Sequence, residues 1–197
     1  MNGDLFITGD VDADALLNHD ANALLIGMLL DQQVPLEWAF RGPYTLQERL
    51  GHLDVVRIAG MDEDELVAVA CAPPAIHRFP AVMARRIQAV CRALDEEWGG
   101  RADMIWADAP DAHTLARRLR ALPGFGPEKT KIFLALLAKR FGIRPPGWEA
   151  AAGVFADAEP RTIADCDGPD GLAAVRDWKA AQRAAGKDKQ GRPLPRP

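Results

Sequence analysis

The sequence predicts an all-α protein. Apolar residues recur at helical spacing from Leu16 to beyond Leu172, and prolines and paired glycines cut that pattern into about nine or ten short helices. Only Leu5 to Thr8 reads as β-like, and Gly9-Asp10 closes it at once. With 197 residues, 48% of them hydrophobic, the chain has room for one large domain or two small lobes.

The elements follow in order. Asp12 or Asp14 can cap a first helix through Leu16 and Leu17. Leu24, Leu25, Met28 and Leu29 mark a second that is apolar almost all round, hence central, and that stops at Asp31-Gln32-Gln33-Val34-Pro35. A helix from Leu36 carries Trp38 and Phe40, Gly42-Pro43 reads as a turn, and Tyr44 to Leu50 as another helix. Asp54 to Ile58 and Asp62 to Ala70 are short helices before the break at Pro73-Pro74. Phe79-Pro80 opens a long amphipathic helix with Met83, Ile87, Val90, Leu94 and Trp98 on one stripe, ended by Gly99-Gly100. Pro110-Asp111 starts the next, which buries Leu115, Leu119 and Leu122. After a turn, a helix runs from Pro127 to Arg140, and Pro145-Pro146 marks a boundary. Shorter pieces follow at Trp148 to Phe155, Thr162 to Asp165 and Leu172 to Ala185. The polar tail, 186–197, is expected to be disordered.

Composition narrows the function classes. No apolar run is long enough to cross a membrane, and the first residues lack the features of a signal peptide. Cys71, Cys91 and Cys166 are too few and too scattered for a disulfide framework or a zinc site, so reduced thiols and a cytoplasmic location are expected. The net charge of −4 is not that of a simple nucleic-acid binder, yet it hides an asymmetry. Residues 1–65 carry 13 Asp/Glu against 3 Arg. Residues 113–144 carry Arg117, Arg118, Arg120, Lys129, Lys131, Lys139, Arg140 and Arg144 against Glu128 alone. That basic block suits a polyanion, although a solvated helix face has the same look.

The block brackets LPGFG, Leu122 to Gly126. Helix, double-glycine turn, helix is a hairpin in which Gly124 and Gly126 can take angles closed to other residues and let a partner come close. The second helix starts at the turn, so its free N–H groups can receive an anion, and a DNA backbone phosphate fits the flanking cations. A tight turn with no ligand would use the same glycines.

The longer pattern L-P-G-F-G-x-x-x-T, followed by apolar Ile132, Phe133, Leu136 and Leu137, resembles the helix-hairpin-helix motif. LLIGMLLDQQV (Leu24 to Val34) resembles the early helix and loop of the helix-hairpin-helix (HhH-GPD) DNA glycosylases of the endonuclease III type, and RFPAVMARRIQAVCRALDEEWGG (Arg78 to Gly100) is similar to their long helix before the hairpin. Order and spacing agree over roughly residues 20–155. DQQVP and RPPGW are most similar to an actinobacterial group of that superfamily.

The resemblance implies a two-lobed helical fold with duplex DNA across a central cleft. A six-helix barrel would span residues 20–143, with the hairpin at about 111–141, and residues 1–19 would join 144–185 in a second lobe. It implies a monomer with no membrane partner, DNA contact through Leu122, Gly124, Phe125, Gly126, Lys129 and Lys131, and a monovalent cation on the Leu122 and Gly124 carbonyls. Gln33, beside Gln32, matches the wedge that fills the hole left by a flipped base. Tyr44, Trp148 and Glu128 are candidates to line a base pocket.

The chemistry departs from the family pattern. The Schiff-base lysine of bifunctional members falls on Glu128, and Lys129 is turned about 100° from that position, so lyase activity is not expected. The glutamate of adenine-specific members falls near apolar Met28. The water-activating aspartate of monofunctional members falls on Glu149, with Asp157 and Asp165 as further candidates. Only Cys166 lies where an iron–sulfur cluster would need four cysteines, so no cluster is expected. Three readings stay open: a monofunctional glycosylase of base-excision repair, a lesion-sensing DNA binder without catalysis, and a helical scaffold binding proteins through the acidic face of 1–65.

Overall fold

The computed structural model describes residues 1–194, and Pro195 to Pro197 of the expected disordered tail lie outside them. The chain is all-helical, with no strand among the described residues. In order, the helices are α1 (Val11–His19), α2 (Ala21–Leu30), α3 (Leu36–Leu50), α4 (Val55–Gly60), α5 (Glu63–Cys71), α6 (Pro80–Trp98), α7 (Met104–Ala107), α8 (Ala112–Ala121), α9 (Pro127–Arg140), α10 (Trp148–Ala152) and α11 (Pro169–Ala184). Two 3₁₀ turns, Gly153–Ala156 and Ile163–Asp165, lie between the last two. No helix among the described residues is long and apolar enough to cross a membrane.

Two helices form the centre. All of α2 from Ala23 to Leu30 is buried, and it packs on α1, α3 and α6. In α9, Thr130 and every residue from Ile132 to Ala138 are buried, beneath α8, α10 and both 3₁₀ turns. The stripe on α6, Met83, Ile87, Val90 and Leu94, is inside as its spacing predicts, against α4 and α5. Cys91 and Cys166 are buried, and burial pushes both thiols up to about 12, which keeps them protonated and inert.

Several acidic residues of the first 65 are structural. Asp10, Asp20, Asp54 and Asp62 each accept backbone N–H groups at the start of α1, α2, α4 and α5. Short helices need many caps, and that need accounts for part of the local negative charge. The cap of α1 is thus Asp10, not Asp12 or Asp14. Asp14 is buried and accepts the Ile7 and Thr8 amides and the Thr8 hydroxyl.

Other expectations change as well. Leu5 to Thr8 is an extended segment without a strand partner, pinned by Asn18 to the Leu5 backbone in both directions at 2.9 Å. Gly42-Pro43 does not break the chain, and α3 runs straight through both. A side chain at 42 would stand 2.3 Å from Leu30 Cδ1, so the glycine is there for close contact between helices. Helix α7 was not foreseen, and α11 begins at Pro169 rather than Leu172. Residues 186–194, expected to be disordered, fold back into a loop in which Leu194 N–H donates to the Gly186 carbonyl (2.8 Å) and Lys187 bridges to Pro193.

Asp165 caps its own 3₁₀ turn and takes the Lys139 ammonium at 2.7 Å, with only 9% of its side chain exposed. Replacing Lys139 with Met strands that carboxylate, and the expected loss in urea unfolding is about 2–4 kcal/mol. The half-exposed Arg85–Glu63 pair is the control, for which Arg85→Ala should cost under about 1 kcal/mol.

Candidate functional site

The turn from α8 to α9 is built from the inside outward. Leu122 and Phe125 are buried, and the Phe125 ring meets Phe133 edge-on at 5.9 Å. Their side chains are anchors, so only their backbone can face a ligand. The Phe125 amide donates to the Leu122 carbonyl at 3.2 Å. Gly124 has φ +82°, and a Cβ there would stand 2.6 Å from Leu29 Cδ1. Gly126 differs. It caps α9 with an ordinary φ of −74°, and a Cβ on it would meet nothing. Neither its backbone nor its packing requires a glycine. Pro127 at the first helical position has no N–H, and the amides of Gly126, Glu128 and Lys129 have no acceptor among the described residues. An open face with outward amides at a helix start is what an anion needs.

The loop Asp31–Pro35 is fastened to this turn. Lys129 points inward, and its ammonium donates to the carbonyls of Met28, Leu29 and Asp31, the last two at 3.2 and 3.1 Å. It therefore caps the C-terminus of α2 and is not free to meet phosphate, contrary to expectation. Gln32 is also committed. Its amide donates to the Leu29 carbonyl (2.7 Å), its oxygen accepts from Arg86 (2.6 Å), and its carbonyl accepts from Nε2 of buried His77 (3.0 Å). The His77 Nδ1 accepts the Phe79 amide, which fixes the neutral tautomer, and burial lowers its pKa further from the physiological range. Between these fixed points Gln33 is exposed, is the one non-glycine residue with positive φ (+59°) among those described, and has no hydrogen-bond partner for its side chain there.

The basic block divides in two. Arg118 pairs with Asp108 at 2.6 Å and stacks on Trp98, Lys139 holds Asp165, and Arg140 holds Asp4 and Asp167. Arg144 donates to the Ala138 carbonyl at 3.0 Å. What faces outward, besides the exposed Arg144, is Lys131, beside Gly153, and a stripe on α8. His113, Arg117 and Arg120 are exposed along a shallow groove of about 390 Å³ and form no ion pair among the described residues. The i, i+4, i+7 spacing that sets them on one face was present in the sequence but lost in the bulk count.

The remaining candidates scatter. Tyr44 has Glu48, Asp12 and Asp10 around its hydroxyl, whose pKa desolvation and those carboxylates raise. Trp148 packs against the core from the start of α10. Pro146, just before it, accepts the amide of Ala112 at the far end of α8 (3.0 Å). That end lies about 15 Å from the turn, given 1.5 Å per residue. Glu149, next in α10, is exposed and has no side-chain partner among the described residues. Asp157 is held by Arg161 and Asp165 by Lys139, so both are structural. The loop Asp31–Pro35 opens on a carboxylate of its own, Asp31, which sequence reasoning passed over and whose charge acts on both Lys129 and Lys179. Glu128, at the first turn of α9, lies under the folded-back C-terminal loop.

Two measurements test this geometry. Gln33→Gly should relieve the left-handed strain and stabilise the fold by about 0.5–1 kcal/mol, whereas Gly124→Ala should cost about 2–4 kcal/mol through strain and the clash with Leu29. Gly126→Ala should stay within about 0.5 kcal/mol of wild type. Burial pushes Lys129 down to about 8, opposed by Asp31. The folded amine then releases its proton before the unfolded one, so its contribution to stability rises as pH climbs from about 8 toward the ordinary lysine range. Wild type should gain on the order of 1 kcal/mol over Lys129→Met across that window, a figure reduced for partial exposure, and a flat difference would mean a solvated amine.

Comparison with protein-family models, curated proteins and solved structures finds no match.

Proposed function

We propose that this chain is a duplex-DNA-binding protein of the HhH-GPD DNA glycosylase type, acting in base-excision repair. The observation that carries the reading is Gly126. A glycine that neither backbone nor packing requires, whose amide and those of Glu128 and Lys129 have no acceptor among the described residues, is explained by close approach of an outside anion. The exposed stripe of His113, Arg117 and Arg120 leads along α8 to that point and adds the charge that a phosphate backbone meets. Gln33, at positive φ on the tip of a braced loop and without a side-chain partner among the described residues, supports the same reading as the residue that would enter the stack when a base swings out. A monovalent cation would sit on the carbonyls of Leu122 and Gly124, the former sharing its oxygen with the Phe125 amide.

The two-lobed arrangement belongs to the same reading. Contacts joining the N-terminal segment to the region after α9 support it: Phe6 N–H donates to the Cys166 carbonyl at 3.1 Å, and Arg140 spans Asp4 and Asp167. The proposed activity is hydrolysis of the N-glycosidic bond of a damaged or mismatched base. A lysine-dependent lyase step is not part of it, because the Lys129 ammonium is bound by carbonyls. Asp31 and Glu149 are the carboxylates to test as water activators. The position of Glu149, exposed and beside the far end of α8, favours a second reading in which the protein binds lesions without cleaving them.

The first test is DNA binding by Gly126→Val, with thermal melting to check that the variant folds. Affinity for a short duplex should fall at least about tenfold, with a shallower salt dependence. Unchanged binding would remove the hairpin from the interface. The second is base release from duplexes containing uracil, alkylated purines, hypoxanthine, oxidised guanine or mismatches. Release lost in Asp31→Asn or in Glu149→Gln names the carboxylate, and tight binding without release supports the sensor.

A further inference from the structure

Glu128 is the one acidic residue at the point where the proposed phosphate contact is made. It occupies the second position of α9, beside the free amides. A carboxylate there suits the helix dipole of the free protein but repels an incoming anion at the same pole. The structure surrounds it with cations from far along the chain. Lys189 Nζ lies 2.9 Å from one carboxylate oxygen, the Gln190 amide donates to the other, and Arg192 stands at 3.9 Å. Burial opposes ionisation, but Lys189, Gln190 and Arg192 together hold the Glu128 carboxyl below the ordinary glutamate range.

The loop that carries these groups has its own internal bracing. Asp188 accepts the amides of Gln190 and Arg192 at 2.8 and 2.9 Å and pairs with the Arg192 guanidinium at 2.7 Å. Arg161 donates to the Lys189 carbonyl at 3.2 Å, and that arginine is itself fixed by Asp157 and by stacking on Trp178. Leu194 N–H closes the loop on Gly186. The two cations are therefore delivered to Glu128 by a formed structure, and both arise outside the basic block around the hairpin.

We propose that residues 187–194 are a charge-neutralising strap: Lys189 and Arg192 cancel the Glu128 carboxylate so that the start of α9 can accept a backbone phosphate. The proposal rests on the DNA-binding reading above. It makes the strap a working part of the interface, and Glu128 the residue through which the strap acts.

The test is a set of three variants of the full chain: Lys189→Gln with Arg192→Gln, Glu128→Gln alone, and all three together. The probe is an unmodified fluorescent duplex of about 20 base pairs, titrated at low and at physiological salt. Thermal melting checks that each variant folds, which is expected because the strap is peripheral. The double variant should bind about tenfold more weakly, Glu128→Gln alone as tightly as wild type or tighter, and the triple variant within about threefold of wild type. Double-variant binding equal to or tighter than wild type would overturn the proposal, the tighter result meaning that the strap covers the site. A triple variant as weak as the double would also overturn it, since the cations would then be touching phosphate themselves. If wild type fails to bind the duplex at either salt level, the DNA-binding reading itself fails and the strap proposal with it.

Discussion

The site depends on one ammonium group. Lys129 leaves the first turn of α9 and closes the end of α2 by donating to the carbonyls of Met28, Leu29 and the capping residue Asp31. A helix C-terminus normally satisfies those oxygens with a glycine cap, water or a neighbouring basic side chain. Here the basic side chain comes from the other half of the site. One contact thus satisfies the backbone of α2, sets where the loop 31–35 begins, and fixes that loop to the hairpin. Leu29 against Gly124 adds a steric lock at the same junction. Arg86 and His77 brace the loop from α6 and from the segment before it, which leaves Gln33 as the only member of the Gln pair free to act.

How much was legible follows from which forces are local. Helical periodicity, most of the proline and glycine breaks and the central burial of α2 are properties of short windows, and they were read correctly, whereas the equally central place of α9 came only with the fold. The turn at Gly42-Pro43 was misread because those residues normally end helices, whereas here Gly42 is set by Leu30 on another helix. A long-range contact overrode a local preference. The cap of α1 was misplaced by two or four residues because three aspartates compete within five residues, and only the fold shows that Asp14 is occupied by the Ile7 and Thr8 amides. The strap was missed because its order comes from contacts that composition does not show, Asp188 within the loop and Arg161 and Glu128 from outside it, while its own composition is that of a disordered tail.

The site was legible in its parts and illegible in its charges. Sequence proximity brought out LPGFG and the double glutamine, and the structure does place them side by side. The count of cations around the hairpin was a poorer guide. Arg118, Lys129, Lys139 and Arg140 serve internal contacts, whereas His113, Arg117 and Arg120 share an open face. The acidic surplus at the N-terminus divides in the same way, since several aspartates are helix caps. Net charge by segment cannot separate a residue that holds the protein together from one that faces a partner.

Because Lys129 and Gly124 belong to the hairpin while Leu29 and the carbonyls they meet belong to α2, neither half is a self-sufficient module. A hairpin transplanted from another protein would bring its own turn but not the lysine that seats this loop. A transplanted loop would arrive with its last carbonyls unmet. Sequence drift in either segment is therefore coupled to the other across about a hundred residues of chain, a separation too long for local propensity to enforce. The pair would have to be exchanged together, and a chimera joined anywhere between them would keep both motifs intact on paper while losing the geometry that makes them one surface.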